Sequence, residues 1–221
     1  MAAALLHIFG WVLMLTAMML PSELTYLGAL RSVLATRIQS ARRRRGLWLG
    51  FIAGYGLAWS GYGIAAEAAI ALLRPFRDLA WGAAGPQLAG AALLLAAAYQ
   101  LSPLKRVCLR HCRSPLAFFA RHWREGGIGA VTMGLRHGLV CVGCCWALMA
   151  LMAVFSAMDL IWMALLTVLM FAEKVLPQGS RLALPSAGGL AALGLWLVLS
   201  PTTAPLLRAP LVFGADFCRA F

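Results

Sequence analysis

Long apolar runs separated by short clusters of charge dominate this chain. A helix of about 20 apolar residues is long enough to cross a bilayer. On that basis the pattern predicts six transmembrane helices, of which the fifth is the shortest and ends at Glu173 and Lys174. Their approximate bounds are 3–27, 47–73, 86–104, 138–158, 160–176 and 187–201, and a helical extension over 129–137 precedes the fourth. We therefore predict an all-α, polytopic membrane protein.

The distribution of basic residues predicts the orientation of these spans. Arginine and lysine cluster after the first and third spans, in predicted loops near 30–46 and 105–128. Between the second and third spans the charged residues are only Arg74, Arg77 and Asp78. Cytoplasmic loops carry an excess of Lys and Arg. The basic loops are therefore expected in the cytoplasm, with both chain termini on the outer side.

Composition supports this membrane interpretation. The chain is 62% apolar and 12% charged, whereas a soluble domain is about half apolar and about a quarter charged. The net charge of +12 comes from residues between apolar runs, so it indicates membrane loops and not nucleic-acid binding. We expect one transmembrane domain over 1–204, surrounded by lipid in a bacterial inner membrane, and a short outer-face tail over 205–221.

Soft metal ligands follow one face of the predicted fourth helix. The line consists of Met133, His137, Cys141, Cys145 and Met149, each four residues after the last, with Cys144 beside it and Met152 three residues further. Residues four apart share a helix face, and thiolate, imidazole and thioether ligands suit Cu(I). We predict that His137, Cys141, Cys144 and Cys145 hold the ion and that Met149 and Met152 pass it outward. The alternative is that these cysteines and methionines only fill space in a core.

A second group of candidate ligands lies in the basic loop after the third span. If this loop is helical, Cys108, His111 and Cys112 share a face. Neighbouring Lys105 and Arg106 favour thiolate formation. The group is therefore expected to capture or release metal at the cytoplasmic side. A reactive thiol pair and a basic loop without a function are the other interpretations.

Methionines in the first span offer a further half-site. Met18 and Met19 precede Pro21, which is expected to break or kink the helix because proline lacks a backbone donor. The hydroxyl of Ser22 could then satisfy a freed backbone group. In this interpretation Glu23 only marks the inner membrane interface.

An ion pair is predicted at the cytoplasmic ends of the fourth and fifth spans. Glu173 ends the fifth span and Arg136 begins the fourth. Ionisable residues at membrane depth usually find a partner. We expect Glu173 to pair with Arg136, and Glu173 or its neighbours could also orient His137.

Several sequence blocks resemble a known family. The blocks lie at 17–22, 99–105, 108–115 and 141–149, followed by Trp162-Met163 and Glu173-Lys174. Together they resemble a bacterial family of unknown function whose members are described as predicted metal-binding integral membrane proteins. The resemblance runs from about 17 to 179 and is most specific in the Gly-Cys-Cys-Trp and Cys-Leu-x-x-Cys-Arg-Ser-Pro blocks. It implies a metal-binding membrane protein.

The function predicted from these features is the handling of a soft metal ion, Cu(I) above others, by transport or by delivery to a metalloenzyme. The chain has no phosphate-binding loop or nucleotide motif, and we do not expect an enzyme. The expected partners are a copper enzyme or a soluble metal chaperone. Hg(II) is a chemically similar alternative ion.

Two other classes of function stay open at this point. In the first, a membrane thiol oxidoreductase, the cysteines of the fourth span exchange electrons between a quinone and the Cys108–Cys112 pair. In the second, a non-catalytic assembly subunit of a larger membrane complex, the cysteines serve packing or form a structural site.

Overall fold

A computed structural model describes residues 2–154 and 160–199, with side chains over 16–69, 71–72, 85–152 and 162–199. Across the described backbone every regular element is helical, which confirms the all-α prediction. The elements are α1 (Ala2–Arg37), α2 (Ala41–Gln100), α3 (Pro103–Cys112), α4 (Pro115–His122), α5 (Gly126–Val154), α6 (Leu160–Val175), a 3-10 turn (Gly179–Arg181) and α7 (Ala183–Leu199).

The later helices agree with the predicted spans. Helix α5 begins at Gly126, which confirms the helical extension before the fourth span. Helix α6 covers the predicted fifth span to within one residue, and α7 covers most of the sixth. The predicted ends of the fourth and sixth spans, and the tail over 205–221, lie outside the described residues.

The predicted basic loops are largely helical, which corrects the sequence interpretation. Helix α1 continues to Arg37 and α2 begins at Ala41, so only 38–40 separate them. The region 105–128 holds α3, α4 and the first turn of α5. Charge marks where a chain leaves an apolar environment, but Arg and Lys are also good helix formers. Positive charge therefore does not end a helix.

Helix α2 provides a second correction, because it covers the predicted second and third spans together. Arg74, Arg77 and Asp78, which were expected in a loop, lie within its helical backbone. By length and apolarity, two segments of the described chain could cross a membrane, Gly126–Met152 and Gly179–Leu199. A third qualifies if Gly85–Gln100 and Pro103–Cys112 count as one broken span. The six-span topology is therefore not confirmed, and the orientation of the termini stays a prediction.

Contacts divide the chain into two compact units. As far as they are described, one comprises Met1–Ser22, Arg74–Ser102 and Ala147–Phe221, and the other Glu23–Leu73 and Pro103–Trp146. The second unit contains the candidate metal centre and is called the thiol unit below. Its apolar core is built from aromatic and aliphatic side chains of α1, α2, α4 and α5: Tyr26, Leu30, Leu34, Leu47, Phe51, Phe118, Phe119, Ala130 and Met133.

Helices α2 and α5 approach closely within the thiol unit. A Cβ atom added at Gly54 would collide with the backbone of Val131, and one added at Gly134 would collide with the backbone of Phe51. A Cβ at Gly138 would lie 2.6 Å from that of Ala58. Small residues allow such close packing of helices in membranes. The crossing brings the following turn of α2 against the cysteine segment of α5.

The other unit contains a buried polar network. The Gln100 amide donates to Glu173 Oε1 and to Ser186 Oγ, each over 2.9 Å. Lys174 Nζ donates to Ser22 Oγ over 3.3 Å. Buried polar groups require such partners. Both ionisable residues at the end of α6, Glu173 and Lys174, are thus hydrogen-bonded.

Helix α1 passes through Pro21 without a break, contrary to one of the two expectations for this residue. Ser22 Oγ donates to the carbonyl oxygen of Met19 over 2.9 Å. Proline in a helix interior removes one backbone hydrogen bond, and nearby Ser hydroxyls commonly bond to backbone carbonyls in such segments. The helix therefore continues to Glu23 and Tyr26, which belong to the thiol unit.

Candidate metal centre

Three thiols of α5 form the base of the candidate centre. Cys141, Cys144 and Cys145 follow each other at positions i, i+3 and i+4 of one helix, which places them on one face. Their sulfur atoms lie within 4.8 Å of one another, and each residue is at most 2% exposed. Both Cys144 and Cys145 donate to the carbonyl oxygen of Cys141, over 3.1 and 3.0 Å. The three sulfurs are thus held together by the helix itself.

A fourth thiol reaches this cluster from α3. Cys112 Sγ lies 3.8 Å from Cys144 Sγ. Helix α3 buries Lys105, Leu109 and Cys112, so its buried face carries Cys112 inward. From the sequence, the cysteines of α3 and α5 are expected in two separate sites, one in the cytoplasm and one in the membrane. The structure joins Cys112 to the cysteines of α5, and we call Cys112, Cys141, Cys144 and Cys145 the four-thiol cluster.

The other two candidates on α3 differ from Cys112. Cys108 is half-buried, and its sulfur would lie 2.9 Å from a Cβ atom added at Gly143 of α5. His111 is exposed, and its Nδ1 is 2.9 Å from the carbonyl oxygen of Val107 in its own helix. Cys108, His111 and Cys112 thus have the predicted helical spacing but differ in burial, and their role as one metal-capturing group stays a prediction.

His137 is held by a carboxylate on α1. Its Nε2 lies 2.6 Å from Glu23 Oε2, and the two side chains are both buried. The other carboxylate oxygen of Glu23 accepts a hydrogen bond from Cys141 Sγ over 3.4 Å. Glu23 therefore connects the imidazole to the cluster, which is more than the interface marker that the sequence suggested.

The carboxylate expected to orient His137 was Glu173 or one of its neighbours, whereas the carboxylate that contacts the imidazole is that of Glu23. Glu173 accepts hydrogen bonds from Gln100 and Ser186 in the other unit. Arg136, its expected ion-pair partner, is exposed. Both Glu23 and Glu173 stand near the end of a predicted span, and sequence position alone does not distinguish them.

Aromatic rings surround the imidazole of His137. The ring of Tyr26 stacks on it with centroids 3.8 Å apart, and the rings of Phe51, Tyr55 and Phe118 lie 5.7–5.8 Å away. The Tyr26 hydroxyl donates to the carbonyl oxygen of His111, next to Cys112. The Tyr55 hydroxyl lies 3.4 Å from Cys141 Sγ. These contacts fix the imidazole and tie α1 and α2 to the helices that carry the thiols.

The candidate methionines belong to the other compact unit. Met18, Met19, Met149 and Met152 are all buried. Met19 Sδ lies 3.8 Å from Lys174 Nζ, and Met152 lines an apolar cavity of about 310 Å³ between α5, α6 and α7. A role for these thioethers in passing the ion outward stays a prediction.

Sequence reasoning missed Glu23, Tyr26 and Tyr55 as parts of the centre. A carboxylate and a histidine within apolar segments are both costly and are expected to pair. A carboxylate near His137 was therefore expected, and the one that contacts it is Glu23. Nothing in the local sequence of Tyr55 indicates a sulfur contact.

The donor set fits a soft metal ion. Three buried sulfurs that lie close together, with Cys112 Sγ next to one of them, offer the thiolate ligands that soft ions such as Cu(I) prefer. The imidazole of His137 contacts the thiols indirectly, through the Glu23 carboxylate that also accepts the hydrogen bond from Cys141. Such hydrogen-bonded groups typically orient the ligands of a metal site. The cluster is therefore chemically suited to copper.

Comparison with known proteins agrees with this chemistry. The model of the family PpoB2, described as a copper chaperone, matches residues 8–197. Neither the curated proteins nor the solved structures contain a significant match. The expectation of a metal-binding family is thus confirmed at that level, although the family that matches is not the one suggested by the resemblance of the sequence blocks.

Proposed function

The chain belongs to the PpoB2 copper chaperone family, and from this premise we propose that it binds Cu(I) in the four-thiol cluster and delivers the ion to a metalloenzyme. The family description supports a copper-related and non-enzymatic role. The observation that carries the proposal is the 3.8 Å approach of Cys112 Sγ to Cys144 Sγ. It adds a thiol from a second helix to the three sulfurs of α5.

The four-thiol cluster supplies the ligands in this proposal. Cu(I) binds soft thiolates in preference to oxygen ligands, so Glu23 acts on the site through hydrogen bonds. Its bond to His137 makes the imidazole a positioning group, in place of the direct ligand expected from the sequence. Thiols must lose protons to bind metal, so binding releases protons and weakens in acid.

The proposal also includes the cellular location of the protein and the partners between which it passes copper. We place the chain in the bacterial inner membrane as a multi-pass protein, supported by two or three helices of sufficient length and apolarity within residues 2–154 and 160–199. Its partner is a copper enzyme that receives the ion, or a soluble chaperone that supplies it. The buried Met18, Met19, Met149 and Met152 are candidate onward ligands.

Metal analysis tests the binding step. The protein is purified anaerobically in detergent, loaded with Cu(I), freed of excess ion and measured by mass spectrometry. We expect about one copper per chain, and loss of this copper in a variant with Cys141, Cys144 and Cys145 all changed to Ser. Cys218→Ser, a thiol outside the described residues, is the matched control and should bind as the wild type does. Absence of copper from wild type and variant alike would overturn the proposal.

Vesicle reconstitution separates delivery from transport. The wild-type protein is placed in liposomes that contain a Cu(I) chelator, and Cu(I) is added outside. A chaperone that delivers its ion to another protein gives no accumulation above empty liposomes. Accumulation that the triple cysteine variant abolishes would replace delivery by transport.

A further inference from the structure

The four-thiol cluster is closed to solvent, and this raises the question of how an ion reaches it. Its members are between 0% and 8% exposed. Thiol exchange requires access of the incoming group to the sulfur. A buried cluster therefore needs another ligand that meets the external donor and also reaches the cluster.

Cys108 meets both conditions among the cysteines that the structure describes. It is half-buried, whereas the other four are buried. It precedes Cys112 by one helical turn on α3. On its inner side its sulfur abuts Gly143, where an added Cβ atom would be only 2.9 Å away. Because Gly143 directly precedes Cys144, the Cys108 thiol lies against the turn of α5 that carries Cys144.

The exposed side of α3 favours an anionic donor. Arg106, Arg110 and His111 flank Cys108 on this helix and are exposed. Positive charge near a binding site raises the rate at which anions approach it. A Cu(I) complex with an anionic small thiol, of the class of glutathione, suits this surface.

We propose that Cys108 is the exchange thiol of this protein, through which Cu(I) passes between an anionic thiol donor and the four-thiol cluster; the inference rests on the proposed function. In the first step a Cu–S bond to Cys108 forms, a Cu–S bond to the donor breaks, and the Cys108 proton passes to the departing thiolate. In the second step Cys144 or Cys112 replaces Cys108 on the ion, and its proton returns to the Cys108 sulfur. Copper remains Cu(I) throughout.

The rate of copper removal tests this role. Wild-type protein and Cys108→Ser are loaded with Cu(I) from its glutathione complex, and removal by bathocuproine disulfonate is followed in a stopped-flow spectrometer. For Cys108→Ser we expect the wild-type copper content and affinity, with removal slowed by about tenfold or more because the buried sulfurs are inaccessible. Gly143→Ala, which displaces the Cys108 sulfur, should slow removal as well.

Cys112→Ser is the matched control, because it removes a buried thiol one turn away. It should lower the equilibrium affinity, whereas Cys108→Ser should not. Removal from Cys108→Ser at the wild-type rate would overturn the exchange role while the copper function stands. An affinity loss in Cys108→Ser as large as in Cys112→Ser would also overturn it, since Cys108 would then be a resident ligand. A wild-type protein that takes up no copper would refute the proposed function itself.

A second measurement needs neither copper nor a variant. Metal-free wild-type protein is treated with N-ethylmaleimide for increasing times, and the modified cysteines are identified by peptide mass spectrometry. Among the five described cysteines, Cys108 should react first. Earlier modification of Cys112, Cys141, Cys144 or Cys145 would place the entrance to the cluster elsewhere and contradict the proposal.

Discussion

The carboxylate of Glu23 and the imidazole of His137 form a buried pair 2.6 Å apart, although 114 positions separate them in the chain. The second oxygen of Glu23 accepts the hydrogen bond from Cys141. One carboxylate thus fixes both a ring and a thiol of the candidate centre. Partners of this kind orient the ligands of a metal site and contribute to its affinity without contacting the ion.

Replacement of Glu23 should weaken copper binding. Glu23→Gln keeps the shape of the side chain but removes its negative charge and one acceptor oxygen. We expect Cu(I) affinity to fall by about 10–100-fold, the usual effect of losing such an orienting group. Competition with a chromogenic Cu(I) chelator measures the change. Glu67→Gln, at an exposed position of α2, is the control, and equal affinities in the two variants would exclude an orienting role for Glu23.

Removal of the Tyr26 hydroxyl should loosen the attachment of α3. Tyr26→Phe keeps the ring that stacks on His137 but loses the hydrogen bond to the carbonyl oxygen of His111. A hydrogen bond of this kind contributes about 1 kcal/mol, so we expect a decrease in Cu(I) affinity of about fivefold. The same competition assay measures it. Tyr99→Phe, in the other compact unit, should leave the affinity unchanged, and a Tyr26→Phe variant with wild-type affinity would refute this link.

The crossing of α2 and α5 should not tolerate an added methyl group. In Gly54→Ala the new Cβ atom meets the backbone of Val131, whereas in Gly56→Ala it meets nothing within 4 Å. Overpacking of this kind costs about 1–3 kcal/mol or more, while an alanine at an open helical position is neutral or stabilising. Thermal unfolding in detergent should show a lower midpoint for Gly54→Ala only. Equal unfolding midpoints for Gly54→Ala and Gly56→Ala would mean that α2 and α5 are further apart than the structure shows.

Mild oxidation should cross-link α3 to α5. The sulfurs of Cys112 and Cys144 are 3.8 Å apart and need only a small movement to reach the bonding distance of about 2.05 Å. Treatment with diamide should give a Cys112–Cys144 disulfide, identified by peptide mass spectrometry without reduction. Prior loading with Cu(I) should prevent it, because the ion occupies both sulfurs.

The same experiment examines the thiol oxidoreductase alternative. Electron exchange with a quinone requires that a reduced quinone restores the thiols of the oxidised protein. If the protein is only a copper chaperone, adding a reduced quinone to the oxidised protein should not restore its thiols. A Cys108–Cys112 disulfide as the main product would contradict the arrangement of α3 described above.

Much of the fold could be predicted from the sequence because it depends on local patterns. Apolar runs predicted the all-α class, and the helical extension over 129–137 was correct. The exact course of the chain depends on more than apolarity: α2 continues through Arg74, Arg77 and Asp78. Charged residues tolerate helical conformation well, so a charge cluster does not reveal whether a helix ends there.

The site could be predicted only in part, for a related reason. Cys141, Cys144 and Cys145 belong to one helix, and their spacing predicted their common face. The contact between Cys112 and Cys144 and the pair of Glu23 and His137 depend on packing between distant segments. No periodicity within one segment contains that information.

The 32 positions between Cys112 and Cys144 have a consequence for the lifetime of the protein. An ion that bridges two helices binds the folded chain more tightly than the unfolded chain, so the difference in binding free energy adds to the free energy of unfolding. A free ion concentration of about 100 times the dissociation constant would contribute at most about 2.7 kcal/mol. In cells short of copper, the protein would therefore be in its less stable, copper-free form, which proteases cleave more readily. The supply of copper would thus control the abundance of the protein.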